Sequence, residues 1–175
     1  MKAGLYSVPL TGLKEGCHVY EFDVDNEFFS SFSKSEIQEG DLKVRVNLLK
    51  RSLHFEADIS IEGEVSVICD RCLEIYRQEL SYTDHMLIKF GDHWEEVDDE
   101  VLMIPHGSNE FDIAQLIYEF AHLGLPIQRF HPLNKDGSSG CNPDMLSKIE
   151  DHQAEETERI DPRWSELQKL KDNIN

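Results

Sequence analysis

The alternation of apolar and polar residues along residues 42–90 constrains the fold of this 175-residue chain more than any other feature. The apolar positions in its first half are Leu42, Val44, Val46, Leu48, Leu53, Phe55, Ala57, Ile59 and Ile61. Successive side chains of a β-strand point to opposite faces, so an alternation of this length predicts half-buried antiparallel strands. Glu-Gly-Glu at 62–64 is predicted to turn the chain, after which Val65 and Val67 continue the inward series up to Cys69.

Shorter apolar patterns lie before this region. Val19, Phe22 and Val24 mark a strand candidate within HVYEFDV. The segment NEFFSSFSKSEIQEGD is predicted to form a short helix or turn that ends at Gly40. Together these patterns predict an α+β fold in which residues 17–104 build a curved antiparallel β-sheet or a small closed β-barrel.

The segment FDIAQLIYEFAHLGLP has the spacing of an amphipathic helix. Its apolar residues on one face are Ile113, Leu116, Ile117, Phe120 and Ala121. Asp112 is a candidate N-cap, Gly124 ends the pattern, and Pro126 prevents the helix from continuing. The sequence therefore predicts a helix over 112–123 that covers an open face or one end of the sheet.

The C-terminal part of the chain changes in character. HPLNKDGSSGCNP, at 131–143, is rich in turn-forming residues, and a helix can begin after it with Asn142 as cap and Pro143 at its first position. The charged stretch that follows is predicted to be mobile, and DPRWSELQKLKDN is predicted to form a short terminal helix. We predict a single α+β domain at 1–143 and a charged, partly helical and mobile tail at 144–175.

The net charge restricts the possible partners. The chain has 17 Lys and Arg against 35 Asp and Glu, for a formal net charge of −18 at pH 7. Such a field disfavours unassisted binding to nucleic acid or to an anionic membrane, and it favours basic partners such as a ribosomal protein. No apolar run approaches the roughly 20 residues that span a bilayer, and the N-terminal residues lack the features of a signal peptide. We therefore expect a cytoplasmic protein without a membrane partner.

The segment ICDRCLEIY contains a C-x-x-C pair, Cys69 and Cys72, placed where one predicted strand ends and the next begins. Zinc takes about four nitrogen or sulfur ligands, and His131 and Cys141 in the turn-rich loop are candidates for the other two. The alternative is a pair of reduced thiols at a strand turn without a metal. A redox pair requires a lowered thiol pKa, usually from a helix N-terminus, and this pair follows a strand instead.

A group of basic residues is a candidate surface for binding RNA. Lys43 and Arg45 share the outward face of one predicted strand, and with Arg71 they are candidates for contacts to RNA phosphate. The alternative for these residues is an ordinary polar sheet face balanced by nearby acids.

Residues 92–128 contain nine acids and no Lys or Arg. Within this stretch Asp98, Asp99 and Glu100 are candidates for docking a basic protein segment, with an effect mainly on association rate and selectivity. The alternative is a surface that only keeps the chain soluble.

Several of these segments match one family. VICDRCLEIY resembles the strand-borne C-x-R-C-L-E signature of the YceD family, the large ribosomal RNA subunit accumulation proteins. FDIAQLIYEFAHLGLP is similar to a family segment in which an aspartate begins a helix that ends in Leu-Pro. The His-Pro to Gly-Cys loop occupies the place of a cysteine-rich loop, and DPRWSELQKL resembles the family's terminal helix. These similarities run in family order from about residue 65 to about residue 170.

The resemblance implies a bacterial cytoplasmic protein that is needed for 23S rRNA accumulation in large-subunit biogenesis and has no established enzymatic activity. The implied partners are the 23S rRNA precursor, a basic large-subunit ribosomal protein, or both, and we expect no small-molecule substrate. Many members carry a second C-x-x-C-like pair where this chain keeps only His131 and Cys141. Zinc is a candidate cofactor if the imidazole of His131 replaces a lost thiolate. The alternative is a site that has lost its metal while the fold persisted.

A metal-dependent hydrolase or ribonuclease that uses the acidic stretch is the alternative function. It requires carboxylates that converge on an ion with an open coordination position. Neighbours such as Asp98 and Asp99 point to opposite sides of a strand, which disfavours a shared site. The sequence also contains no G-x-S-x-G, P-loop or dinucleotide fingerprint. We therefore predict a non-catalytic binding protein.

Overall fold

The computed structural model of the protein describes residues 4–33 and 35–152. The strands are β1 (Ser7–Pro9), β2 (Gly16–Val24), β3 (Glu39–Lys50), β4 (His54–Ile68), β5 (Ile75–Gly91), β6 (Glu95–Asp98), β7 (Val101–Pro105) and β8 (Glu110–Asp112). The helices are α1 (Asn26–Ser30), α2 (Ala114–Leu123) and α3 (Pro143–His152). The described residues divide into two compact units, one up to Cys141 and one that begins at Asn142. The predicted extents of the domain and of the tail stay predictions.

A large sheet with the strand order β2-β3-β4-β5-β7-β6 forms the first unit, beside a small ladder between β1 and β8. All neighbours in the large sheet are antiparallel except β5 and β7, which are parallel. The prediction of an α+β fold on a mostly antiparallel sheet is confirmed. Across residues 4–33 and 35–152, the edges β2 and β6 do not pair, so a closed barrel is not found there. The curvature of the sheet stays a prediction.

The alternation in the sequence corresponds to burial in β3 and β4. The buried residues are Leu42, Val44, Val46, Leu48, Phe55, Ala57, Ile59, Ile61, Val65 and Val67. Leu53 was expected in the same series, but it is 84% exposed because it lies in the turn between the two strands. The predicted strand around Val19 is β2, in which Val19 is 57% exposed and the more buried register falls on Tyr20, Phe22 and Val24.

The predicted turn at 62–64 is wrong. β4 continues through these residues and pairs with both neighbours, so that Gly63 lies opposite Leu42 on β3 and Leu80 on β5. Gly63 has φ +151°, a conformation that glycine adopts readily and other residues rarely adopt. The glycine therefore permits a local distortion within a continuous strand instead of a reversal of the chain.

The helices differ from the predictions mainly at their ends. α1 ends at Ser30, and Gly40 lies inside β3, so the predicted helix or turn up to Gly40 is too long. α2 begins at Ala114 with Ile113 at its cap position, although the Asp112 carboxylate still accepts the Ala114 N–H at 2.9 Å.

The apolar face of α2 packs on β4 and β5, as predicted for a helix that covers the sheet. The rings of Phe120 on α2 and Tyr82 on β5 lie 5.5 Å apart. The core of the first unit contains the buried residues of α2, of α1 and of the inward strand positions.

In the second unit, α3 begins as predicted, with Pro143 at its first position and the Asn142 side chain accepting the Asp144 N–H at 2.9 Å. The predicted terminal helix in DPRWSELQKLKDN lies outside the described residues. Across residues 4–33 and 35–152, no helix combines the length and hydropathy needed to cross a membrane.

Candidate functional site

The connection between β4 and β5 forms a tight turn that carries both cysteines of the C-x-x-C pair. The Cys69 N–H donates to the Glu74 carbonyl at 2.9 Å, and the Leu73 N–H donates to the Cys69 carbonyl at 2.9 Å. Leu73 has φ +63°, which lets the chain reverse within a few residues. The prediction that the cysteines lie between two strands is confirmed.

A second tight loop carries His131 and Cys141. The Asn134 N–H donates to the Ser138 carbonyl at 2.8 Å, and the Gly137 N–H donates to the Asn134 carbonyl at 2.9 Å. These bonds fold the turn-rich segment back on itself. Cys141 therefore returns to the side of His131, despite the nine residues between them.

A pair of residues that the sequence did not single out joins the two loops. The Asp70 N–H donates to the Arg129 carbonyl at 2.8 Å, and the Arg129 N–H donates to the Asp70 carboxylate at 2.8 Å. The Arg129 guanidinium also contacts Asp70 at 3.4 Å and Glu36 at 2.7 Å. Because Asp70 and Arg129 each lie within two residues of a candidate metal ligand, these bonds align the two halves of the cluster.

The two loops bring all four predicted metal ligands together. Their donor atoms lie within 4.8 Å of one another. The Cys69 and Cys141 sulfurs are 3.7 Å apart, and the Cys72 sulfur is 3.4 Å from His131 Nδ1. A tetrahedral ion with Zn–S bonds near 2.3 Å places its sulfurs about 3.8 Å apart. Three thiols and one imidazole, with the thiols buried, fit zinc in both chemistry and spacing.

The local hydrogen bonds favour a thiolate in this cluster. Burial opposes ionisation of the Cys69 thiol, but backbone N–H groups of Cys72 and Arg71, together with His131, hold its pKa at about 6. Burial raises the pKa of the Cys141 thiol, and the sulfurs of Cys69 and Cys72 add to this effect. The ionisation that metal binding requires is therefore easier at Cys69 than at Cys141.

The structure separates the three residues predicted to contact RNA. Lys43 pairs with Asp23 at 3.2 Å and Arg45 pairs with Glu21 at 2.6 Å, both on the exposed face of the sheet. Arg71 lies in the cysteine turn, where its guanidinium stacks 4.6 Å from the centre of the Phe130 ring.

Register places these two sites far apart along the sheet. Lys43 lies opposite Glu62, and β4 then continues to Ile68 before the cysteine turn. At about 3.3 Å per residue this separation is about 20 Å. Lys43 and Arg45 therefore do not form one continuous patch with Arg71.

The acids predicted to bind protein line a groove of about 790 Å³ between β5, α2 and the connection from β6 to β7. Its acidic residues are Asp84, Glu96, Asp98, Asp99, Glu100 and Glu119, and no Lys or Arg among residues 4–33 and 35–152 lines it. We call this the acidic groove. Asp98, Asp99 and Glu100 are adjacent in the sequence, whereas Asp84 and Glu119 lie beside them only because of the fold.

Asp84 could have been found from the sequence. It interrupts the apolar series that Leu80, Tyr82, Met86 and Ile88 form on the inward face of β5. A charged residue at an inward position of a strand is the unusual feature that marks it.

Comparison with known proteins adds the family. A family model described as "Large ribosomal RNA subunit accumulation protein YceD" matches residues 57–171. No match was found among curated proteins or among solved structures. The family match covers more than half of the chain and includes the cysteine turn, the acidic groove and the loop of His131 and Cys141. The chain therefore belongs to the YceD family of large ribosomal RNA subunit accumulation proteins.

Proposed function

We propose that the protein is a non-catalytic factor of large ribosomal subunit biogenesis, which acts in the cytoplasm by binding pre-rRNA, a basic ribosomal protein, or both. The observation that carries this proposal is the acidic groove in a member of a family named for the accumulation of large-subunit rRNA. Ribosomal proteins are basic because they contact RNA phosphate, so a groove whose described lining consists of acids and neutral residues is complementary to them.

In this proposal the cysteine cluster is a structural zinc site. Zinc supplies a rigid cross-link between the cysteine turn and the loop of His131 and Cys141, and it takes part in no reaction step. With three thiols and one imidazole as its ligands, a bound zinc ion would have no open position for a substrate. The site then holds the position of Arg71 and Phe130, which offer a cation and an aromatic face to RNA.

Gly140→Ala is expected to weaken zinc binding about tenfold or more. A Cβ at this position would lie 2.5 Å from the Pro132 carbonyl oxygen and 3.2 Å from His131 Cβ. The loop must move to avoid these contacts, and the metal ligand His131 moves with it. Gly137→Ala in the same loop is the matched control, because a Cβ there meets nothing within 4 Å and only the φ of +83° is unfavourable. Competition with a chromophoric chelator measures both affinities, and an equal loss in the two variants would contradict the steric argument.

Reversal of Asp98, Asp99 and Glu100 to lysine is expected to reduce co-purification of large-subunit ribosomal proteins about tenfold or more. The matched control reverses Asp41, Glu64 and Glu79, which lie opposite one another on neighbouring strands outside the acidic groove. Both triple variants change the net charge equally. An effect of the overall electrostatic field would therefore reduce co-purification with both variants. Quantitative pull-down from cell extract separates the two, and unchanged recovery with the groove variant counts against docking at the groove.

The cellular role is tested separately. Depletion of the protein is expected to lower 23S rRNA relative to 16S rRNA, and the wild-type chain is expected to restore it. Crosslinking in cells is expected to recover pre-rRNA or large-subunit proteins on residues 1–143. If the crosslinks contain neither RNA nor large-subunit proteins, the proposed function is wrong.

A further inference from the structure

Asp84 occupies an unusual place in the acidic groove. It lies on the inward face of β5, opposite the fully buried Ile59 of β4, and its neighbours on that face are apolar. Its carboxylate accepts hydrogen bonds from the Tyr82 hydroxyl at 3.0 Å and from the His85 N–H at 2.8 Å. Within residues 4–33 and 35–152, no Lys, Arg or His side chain pairs with it; the His85 ring is taken by Asp58. A half-buried carboxylate with only neutral donors retains a strong attraction for a cation.

The walls of the same groove expose apolar side chains. Val97 is 54% exposed on β6, and Leu123 is 62% exposed at the end of α2. Exposed aliphatic side chains in a groove gain free energy when an apolar partner group covers them. The groove therefore offers two different features to one occupant, an inward carboxylate and an apolar wall.

Resting on the proposed function, we infer that the groove binds a Lys- or Arg-rich segment of a basic protein in which a cation reaches Asp84 and a neighbouring apolar side chain packs on Val97 and Leu123. The rim acids Asp98, Asp99 and Glu100 attract the other cations of the segment. Asp84 and the apolar wall then select among basic partners, because a highly charged segment without an apolar residue leaves the wall uncovered.

The occupant is a protein and not a nucleic acid on grounds of charge. Phosphate groups at the groove would face Asp84, Glu96, Glu119 and the rim acids, and no Lys or Arg in the described part of the chain lines the groove to neutralise them. A basic segment, in contrast, is attracted electrostatically by every one of these carboxylates.

Peptide binding tests the inference directly. The probes are a fluorescein-labelled peptide of repeated Lys-Lys-Leu-Lys, a matched peptide of repeated Lys-Lys-Ser-Lys, and a labelled single-stranded RNA. Fluorescence anisotropy is expected to show binding of both peptides by the full chain and tighter binding of the Leu peptide, whereas any binding of the RNA is expected to be the same in the wild type and in Asp84→Asn.

Asp84→Asn removes the charge but keeps an oxygen that accepts the hydrogen bond of the Tyr82 hydroxyl. It is expected to weaken binding of the Leu peptide about tenfold. Asp41→Asn, on the other face of the sheet, removes the same charge and is expected to change affinity less than about twofold. Leu123→Ser is expected to abolish the preference for the Leu peptide, whereas Leu53→Ser, at another exposed leucine, is expected to preserve it. Thermal unfolding of each variant shows that the fold is retained.

Three results would overturn the inference: equal effects of the two aspartate variants, no preference for the Leu peptide, or RNA binding that Asp84→Asn changes as much as it changes peptide binding. None of these bears on the cellular role, which the rRNA levels after depletion test. Conversely, selective peptide binding together with unchanged rRNA after depletion would reject the proposed function and leave the groove inference standing.

Discussion

Cys72→Ser is expected to abolish zinc binding and to lower the free energy of unfolding by at least about 3 kcal/mol. Four ligands on two loops hold the ion, and serine does not supply a thiolate, so the cross-link between the loops is lost. For a chain of this size the melting temperature is expected to fall by about 6–12 °C. Metal analysis of the purified protein and calorimetric unfolding measure the two effects.

Cys17→Ser is the matched control, because Cys17 is an exposed cysteine on β2 outside the cluster. It is expected to keep about one zinc per chain and an unchanged melting temperature. A chelator is expected to destabilise the wild type and the Cys17 variant but to have little further effect on Cys72→Ser.

The histidine gives a sharper test of the same site. His131→Cys is expected to retain zinc, since zinc accepts four thiolates, whereas His131→Ala is expected to lose it. If the purified wild type contains no zinc and the chelator does not change its stability, the four residues are reduced side chains in contact and the proposal of a zinc site is wrong.

Gly63→Ala is expected to lower the free energy of unfolding by about 2–5 kcal/mol. A Cβ at Gly63 would lie 2.2 Å from the Asp41 carbonyl oxygen and 2.9 Å from the Leu42 Cα. Both are backbone atoms of β3, so they cannot move aside without disturbing the pairing of β3 with β4. Alanine would in addition be strained at a φ of +151°.

Gly16→Ala separates the two causes. Gly16 also has a positive φ, +128°, but a Cβ there meets nothing within 4 Å. Gly16→Ala is expected to lower the free energy of unfolding by about 1–2 kcal/mol through backbone strain alone. Urea unfolding of both variants provides the comparison, and equal losses would show that the contact with β3 is not the cause.

The strands and the main helix could be predicted because they depend on local periodicity. Leu42 to Leu48 alternate without interruption, and burial follows the same pattern. The prediction that Leu53 is buried failed because this residue lies beyond the end of the strand, and an alternation alone does not locate the turn. The prediction of a turn at Gly63 failed for a related reason, since a glycine in a strand marks either a reversal or a local distortion, and only pairing on both sides distinguishes them.

The four candidate metal ligands named from the sequence are the four that the fold brings together, although the spacing between His131 and Cys141 is loose. Donor chemistry made them candidates, and the turn-forming residues between them made a compact loop plausible. The hydrogen bonds between Asp70 and Arg129 were not predicted, because the two residues are 59 positions apart in the sequence and no pattern around Arg129 marks it as a partner.

The sequence by itself determined the alternating strands, the amphipathic helix, the acidic surface and the set of possible metal ligands. Each of these follows from residue type and short-range spacing, which act locally along the chain. Tertiary structure alone decided that the parallel pairing of β5 with β7 and the packing of α2 enclose Asp84 and the rim acids in one groove. It also decided that two loops meet at four donor atoms. These arrangements depend on contacts between residues far apart in sequence, where the free energy of packing the whole core selects one geometry among many.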